Sequence, residues 1–155
     1  MNITVSDVSS MVNKNPLLVA DDEFCFACGQ KNPIGLRADF EVDPAACTSY
    51  ASVRIAPEYQ GWQDVVHGGV LATLLDEACI YACRTRVEQC VTAEIQIRYR
   101  KPVPVGATVE LFGKIIDAGR KVWHAEAQLK IDGALFAEAQ AKIFILATEK
   151  TQPIS

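Results

Sequence analysis

From Leu36 onward the side chains alternate: Leu36, Ala38, Phe40 and Val42 are apolar, with Arg37, Asp39 and Glu41 between them, the period of a strand with one buried face. Ala51, Val53 and Ile55 repeat the pattern, and Pro57 and Gly61 then mark a loop that runs to His67. Past Gly68 and Gly69 the period changes. The segment from Val70 to Arg86, VLATLLDEACIYACRTR, has no Pro or Gly and is apolar on nearly every side, which predicts a buried helix of about five turns. Val91, Ala93, Ile95, Ile97 and Tyr99 alternate with Thr92, Glu94, Gln96, Arg98 and Arg100, and Pro102, Pro104 and Gly106 end that strand. Strands from Thr108 to Ile116 and from Val122 to Ile131 flank an Ala118-Gly119-Arg120 turn. Asp132-Gly133 is a two-residue hairpin signal, after which Leu135, Ala137, Ala139, Ala141, Ile143 and Ile145 build a long last strand.

Two strands, one long apolar helix and four more strands joined by short turns predict an α+β domain, an antiparallel sheet packed around a single central helix. Residues 1–24 read as a helix and loop extension of that one domain, which spans 1–155. A helix apolar all round needs more than one covering surface, so a second copy of the chain is expected to close what the sheet leaves open.

Composition narrows the function. A chain of 155 residues, 50% of them hydrophobic, fits one domain with a sizeable core. With 15 Lys and Arg against 19 Asp and Glu, the formal charge of −4 offers no field for a polyanion, and nucleic acid is not an expected partner. The opening MNITVSDVSSMVNKNPLLVA has no apolar run of signal-peptide length, so a cytoplasmic protein is expected. Asp76 and Glu77 at the centre of the most apolar helix argue against a membrane location. The six cysteines are expected to be thiols.

His67-Gly68-Gly69 stands where the loop becomes the helix, so the amides of Gly68, Gly69 and Val70 fall among the donors that a helix N-terminus leaves unpaired. Glycines let a ligand approach the backbone, and the helix dipole favours negative charge developing on a carbonyl oxygen. The same tripeptide also serves as a plain tight turn. Asp76 and Glu77 are carboxylates on an otherwise apolar helix, where such groups need partners or a task. Nine residues separate His67 from Asp76, a rise of about 13.5 Å, so both can serve one small site only if His67 of one subunit meets Asp76 of the other.

Cys25 and Cys28 have a metal-ligand spacing, but a tetrahedral zinc site needs two further donors, and the chain has neither a second Cys-x-x-Cys nor paired histidines; no metal is expected. His124 is expected to be exposed or salt-bridged on a polar strand face. Arg98, Arg100 and Lys101 form a basic cluster that either grips phosphates or simply faces water. Trp62 either lines an apolar pocket or staples its own loop.

Several strings together are more specific than His-Gly-Gly: Cys25-Phe26-Ala27-Cys28-Gly29, Asn32-Pro33-Ile34-Gly35-Leu36, the run from His67 to Ala78, HGGVLATLLDEA, and Tyr99-Arg100-Lys101-Pro102-Val103-Pro104. Through them the chain from Cys25 to Leu146 resembles a hotdog-fold thioesterase of the phenylacetyl-CoA thioesterase-like, or PaaI-like, group. The resemblance implies a curved antiparallel sheet of five or six strands around the helix, homodimers that pair into tetramers as dimers of dimers, and hydrolysis of acyl-CoA without a cofactor, CoA being part of the substrate. Matched to the group's motif, Asp76 is the base or nucleophile, Gly68 supplies the amide that polarises the thioester carbonyl, His67 orients that loop, and Thr92 helps to place the attacking water. Gly69, Gln63, Trp62, Glu77, Arg98, Arg100 and Lys101 are the candidates for substrate contact. The chain departs from the group at Gly61, where several relatives carry Asn or Gln six residues before the histidine; Gln60, Gln63 and Asp64 are the candidate replacements. The same fold also hosts hydratases and acyl-CoA sensors that do not turn their ligand over, so the site residues have to decide.

Overall fold

A computed structural model of the chain describes residues 19–147, so most of the expected N-terminal helix lies outside the described residues. Six strands and one long helix make up the domain: β1 (Glu41–Asp43), β2 (Thr48–Arg54), α1 (Gly68–Cys83), β3 (Gln89–Tyr99), β4 (Thr108–Ala118), β5 (Val122–Ile131) and β6 (Ala134–Ala147). The strands form a single curved sheet in the order β1-β2-β4-β5-β6-β3, every neighbouring pair antiparallel. The expected architecture is therefore present, in its six-strand form.

α1 lies across the sheet and packs on β2, β3, β4, β5 and β6. Leu71, Leu74, Leu75, Ala78, Cys79, Ala82 and Cys83 are its buried positions, spaced three and four apart as one helix face requires. They share a core with Val53, Ile55, Val109, Leu111, Leu129 and Ile143. The apolar character read around the whole helix resolves into a buried face and a half-buried flank, on which Ala72, Thr73, Asp76, Glu77 and Ile80 stand.

At its midpoint the helix rests directly on the sheet. Gly113 of β4 faces Ala78, and a Cβ at that glycine would lie 2.1 Å from the Ala78 carbonyl oxygen. Ser49, opposite Gly113 on β2 and only 3% exposed, donates its hydroxyl to the same oxygen at 2.7 Å. An i to i−4 acceptor within the helix thus gains a second donor from the sheet, which fixes α1 in depth and along its axis.

Among the differences from the sequence pattern, three shape the site. The strand read over Leu36–Val42 shrinks to β1, because Arg37 turns to φ 52° and the amides of Leu36 and Ala38 bond instead to Phe26 O (2.7 Å) and Ala27 O (2.9 Å) of the cysteine turn. α1 stops at Cys83 rather than Arg86, where the Thr85 hydroxyl takes the Ala82 carbonyl at 2.7 Å. In β3 the regular alternation is broken between Thr92 and Glu94: the register against β6 shifts there, so that Thr92 reaches α1 while Ile95 and Ile97 still pack on the core. β5 has the expected ends, and Asp132 (φ 49°) and Gly133 (φ 79°) form the expected hairpin turn to β6.

Gly113→Ala should destabilise the domain by about 3 kcal/mol or more, the upper range for overpacking, because backbone rather than a side-chain tip blocks the new methyl group. Urea unfolding followed by circular dichroism measures it, and a loss below about 1 kcal/mol would show that α1 can lift from the sheet freely.

Candidate active site

The start of α1 is built around His67, its N-cap residue, with φ −59° and ψ 131°. The His67 amide donates to Tyr59 O at 2.9 Å, and ring Nδ1 accepts the Gly69 N–H at 2.8 Å. The His67 carbonyl accepts the N–H groups of Val70 (2.9 Å) and Leu71 (3.3 Å). Gly69 and Val70, expected as open donors, are thereby used up; an accepting ring nitrogen and a closed first turn leave them nothing to offer a ligand. Gly68 N–H is the one amide of this turn without an acceptor among the described residues. The Tyr99 hydroxyl donates to the Gly68 carbonyl at 2.9 Å and holds the Gly68–Gly69 peptide, the one that follows this amide. Sequence reading missed this role of Tyr99, since nothing local links the end of β3 to the start of α1.

A cavity of about 360 Å³ opens in front of this peptide, lined by Gly61, Trp62, Val66, His67 and Gly68. Trp62 stands at its rim 86% exposed, so it does not staple its own loop. A Cβ at Gly61 would approach His67 Cα to 3.0 Å, so a side chain there would press on the N-cap residue. Of the candidate replacements, Gln60 is committed by its side-chain oxygen to the Asp64 amide at 2.9 Å, while Gln63 and Asp64 are exposed.

Asp76 lies on the flank of α1, about two and a half turns from this peptide. Its Oδ1 accepts the Thr92 hydroxyl at 2.5 Å, a contact that the break in the β3 register makes possible. Burial pushes the Asp76 carboxyl up from the ordinary carboxylate range, and the Thr92 hydrogen bond only partly opposes this. The result is a carboxylate poorly solvated by water and held by one donor, with the character of a strengthened base. The structure brings Thr92 to Asp76; it does not bring His67 or Gly68 to Asp76 within one chain.

Glu77 points elsewhere. Its carboxylate meets the thiols of Cys25 and Cys28, the three groups' donor atoms all lying within 4.8 Å of one another. Burial raises the Glu77 carboxyl, with the Cys28 thiol beside it acting in the opposite sense, and burial likewise pushes the Cys28 thiol up. The cluster opens on a cavity of about 700 Å³ between the cysteine turn, α1 and the start of β3.

The basic cluster is divided among separate tasks: Arg100 pairs with Glu138 at 2.6 Å, Lys101 lies over the Phe136 ring at 5.5 Å, and Arg98 stands on the outer sheet face beside Gln96 and Gln140. His124 is exposed and pairs through Nδ1 with Asp117 at 3.7 Å. All six cysteines are thiols. No helix among the described residues is long and apolar enough to cross a membrane.

Residues 63–135 match the family model of the thioesterase superfamily. That segment carries His67, Gly68, Asp76 and Thr92, and the six-stranded antiparallel sheet around α1 is the hotdog fold. Solved structures agree on the fold. A phenylacetic acid degradation-related protein of Ralstonia eutropha is 22% identical, with a TM-score of 0.67 over 71% of this chain and 86% of its own. PaaI of E. coli is 18% identical, with a TM-score of 0.67 over 73% of this chain and 82% of its own. A thioesterase protein of Streptococcus pneumoniae, solved with coenzyme A, is 17% identical, with a TM-score of 0.67 over 73% and 88%. The fold is thus PaaI-like. No curated protein matches the chain.

A carboxyl raised by burial is better accommodated protonated in the folded chain, so its ionisation subtracts stability as pH climbs past the ordinary carboxylate range. Asp76→Asn should therefore raise the thermal midpoint at neutral pH by a few degrees, with the gain vanishing in acid where Asp76 is protonated in both states. A midpoint lowered at neutral pH would show that the charge is well accommodated.

Proposed function

We propose that this protein is an acyl-CoA thioester hydrolase that works as a homodimer, with each site built from two chains. The observation that carries the reading is the Asp76–Thr92 pair: a half-buried, under-solvated carboxylate with one oxygen held and the other free for a reactant. The Gly68 amide supplies the complementary part, an unpaired donor at a helix N-terminus where an oxyanion would gather charge. About 13.5 Å of helix separates the two along one chain, whereas a second copy can bring its own Asp76 to this amide. β3 is an edge strand with unpaired backbone groups, a surface on which the sheet of a second copy can continue.

The thioester carbonyl oxygen then accepts the Gly68 N–H in the cavity before His67 and Trp62. Asp76 of the partner takes a proton from water as the water oxygen bonds to the carbonyl carbon. The tetrahedral oxyanion is held by the amide and the helix dipole; its collapse breaks the C–S bond as the proton on Asp76 passes to the leaving sulfur, giving the free acid and the CoA thiol and restoring the carboxylate. Thr92 holds Oδ1 so that Oδ2 faces the water. His67 and Tyr99 act as positioning residues: both bond the Gly68–Gly69 peptide, from its N–H and its carbonyl, and so fix Gly68 itself. The coenzyme A in the Streptococcus pneumoniae neighbour supports the choice of thiol carrier.

Thiol release from benzoyl-, phenylacetyl-, hexanoyl- and palmitoyl-CoA tests the proposal. Wild type should turn over at least one of them, and Asp76→Asn should lose about 10²–10⁴-fold in kcat, the scale of general base catalysis. The rate should rise with pH through a value above the ordinary carboxylate range, following the raised Asp76 carboxyl. Because Gly68 is the first helical residue and His67 already has the extended conformation that precedes proline, Gly68→Pro deletes the amide and keeps the helix start. It should cost about 10²–10³-fold in kcat. Binding of acyl-CoA by calorimetry with no thiol released would overturn the hydrolase reading in favour of a sensor.

A further inference from the structure

We infer that Cys25, Cys28 and Glu77 form a site for a divalent metal ion of the zinc type, which clamps the cysteine turn onto α1 next to Asp76. Two thiols and a carboxylate are a zinc donor set, and their donor atoms already lie within 4.8 Å of one another. Metal–sulfur and metal–oxygen bonds of about 2.0–2.3 Å place tetrahedral ligands roughly 3.3–3.8 Å apart, so closing the site needs shifts of about an ångström.

The turn that carries the cysteines is held from several sides before any metal arrives. Gly29 N–H bonds to Cys25 O at 2.7 Å, Asn32 Nδ2 bonds to Phe24 O at 3.0 Å, and Leu36 and Ala38 tie the carbonyls of Phe26 and Ala27, the two residues between the cysteines. The third donor comes from a helix of the core. This is the piece that spacing in the sequence does not reveal, since Glu77 stands 49 residues beyond Cys28.

Apart from the Cys28 thiol beside Glu77, the polar groups around the cysteines are sparsely served. No ion pair reaches Glu77 among the described residues, although it is half buried. The nearby cation, Arg84, is engaged by Asp21 at 3.9 Å and lies over the Tyr81 ring at 5.4 Å. Gln89 Oε1 is buried without a hydrogen-bond partner and lines the same cavity as the three donors. Binding releases the protons of both thiols to solvent and leaves two thiolates, one carboxylate and the dication, a net charge of −1.

Metal analysis of the full chain, isolated under reducing conditions without chelator, should find one zinc per chain. After stripping, Co²⁺ should give sulfur-to-metal charge-transfer absorption in the near ultraviolet. Cys25→Ser and Cys28→Ser should each diminish that band, and Glu77→Gln should weaken Zn²⁺ binding by at least about 10-fold, the scale on which even outer partners of metal ligands count. Cys47→Ser, remote from the site, and Asp76→Asn should bind as wild type, which separates this site from the hydrolase reading. Circular dichroism of each apo variant confirms that folded chains are compared. A reduced wild type that takes up no Zn²⁺, a Cys25–Cys28 disulfide in its place, or Glu77→Gln binding Zn²⁺ as tightly as wild type would overturn the inference.

Discussion

The close seat of α1 on the sheet is the constraint on which the rest depends. With no side chain at Gly113 and the Ser49 hydroxyl reaching the Ala78 carbonyl, the helix backbone touches the strands, and the positions on either side of Ala78 are fixed in height. Asp76 and Glu77 immediately precede that contact. They are therefore carried down to the half-buried flank, where water cannot solvate them fully and neighbouring elements must serve them instead. Asp76 is served by β3 and Glu77 by the cysteine turn, two sides of one helix turn given different chemistry by a single packing decision.

The same seat separates the two halves of the proposed chemistry. The donor amide sits at the first turn of α1, beside a Gly68–Gly69 peptide held by His67 and Tyr99, and the carboxylate lies two and a half turns along a helix that cannot bend toward it. A rigid spacer between donor and base is a disadvantage in a monomer. In the proposed two-fold dimer it would serve as a ruler, each helix presenting one end to the partner's middle.

Much of the fold was legible because its signals are local. The Asp132-Gly133 turn, the ends of β5 and the existence of α1 follow from turn residues and from period changes within a few positions. The features that escaped are those set by contacts far apart in the chain. Val91 to Tyr99 alternate without interruption in the sequence, yet the register against β6 breaks beside Thr92, and only that break turns its hydroxyl to Asp76. Leu36–Phe40 carry a strand pattern, but the amides of Leu36 and Ala38 are claimed by the cysteine turn. At the site, Asp76 and Gly68 stood out through an odd carboxylate on an apolar helix and a glycine at its start. The loss of Gly69 and Val70 as donors, the support from Tyr99 and the meeting of Glu77 with Cys25 and Cys28 each required coordinates.

The central claim is that one site is shared between two chains, and subunit mixing tests it most directly. Gly68→Pro chains lack the donor and keep the base; Asp76→Asn chains lack the base and keep the donor. If the sites are shared, random exchange of the two inactive proteins makes half the dimers mixed, each with one intact site of two, and thioesterase turnover should return to about a quarter of the wild-type value. A mixture no more active than its components, with exchange verified by mass spectrometry, would contradict the account.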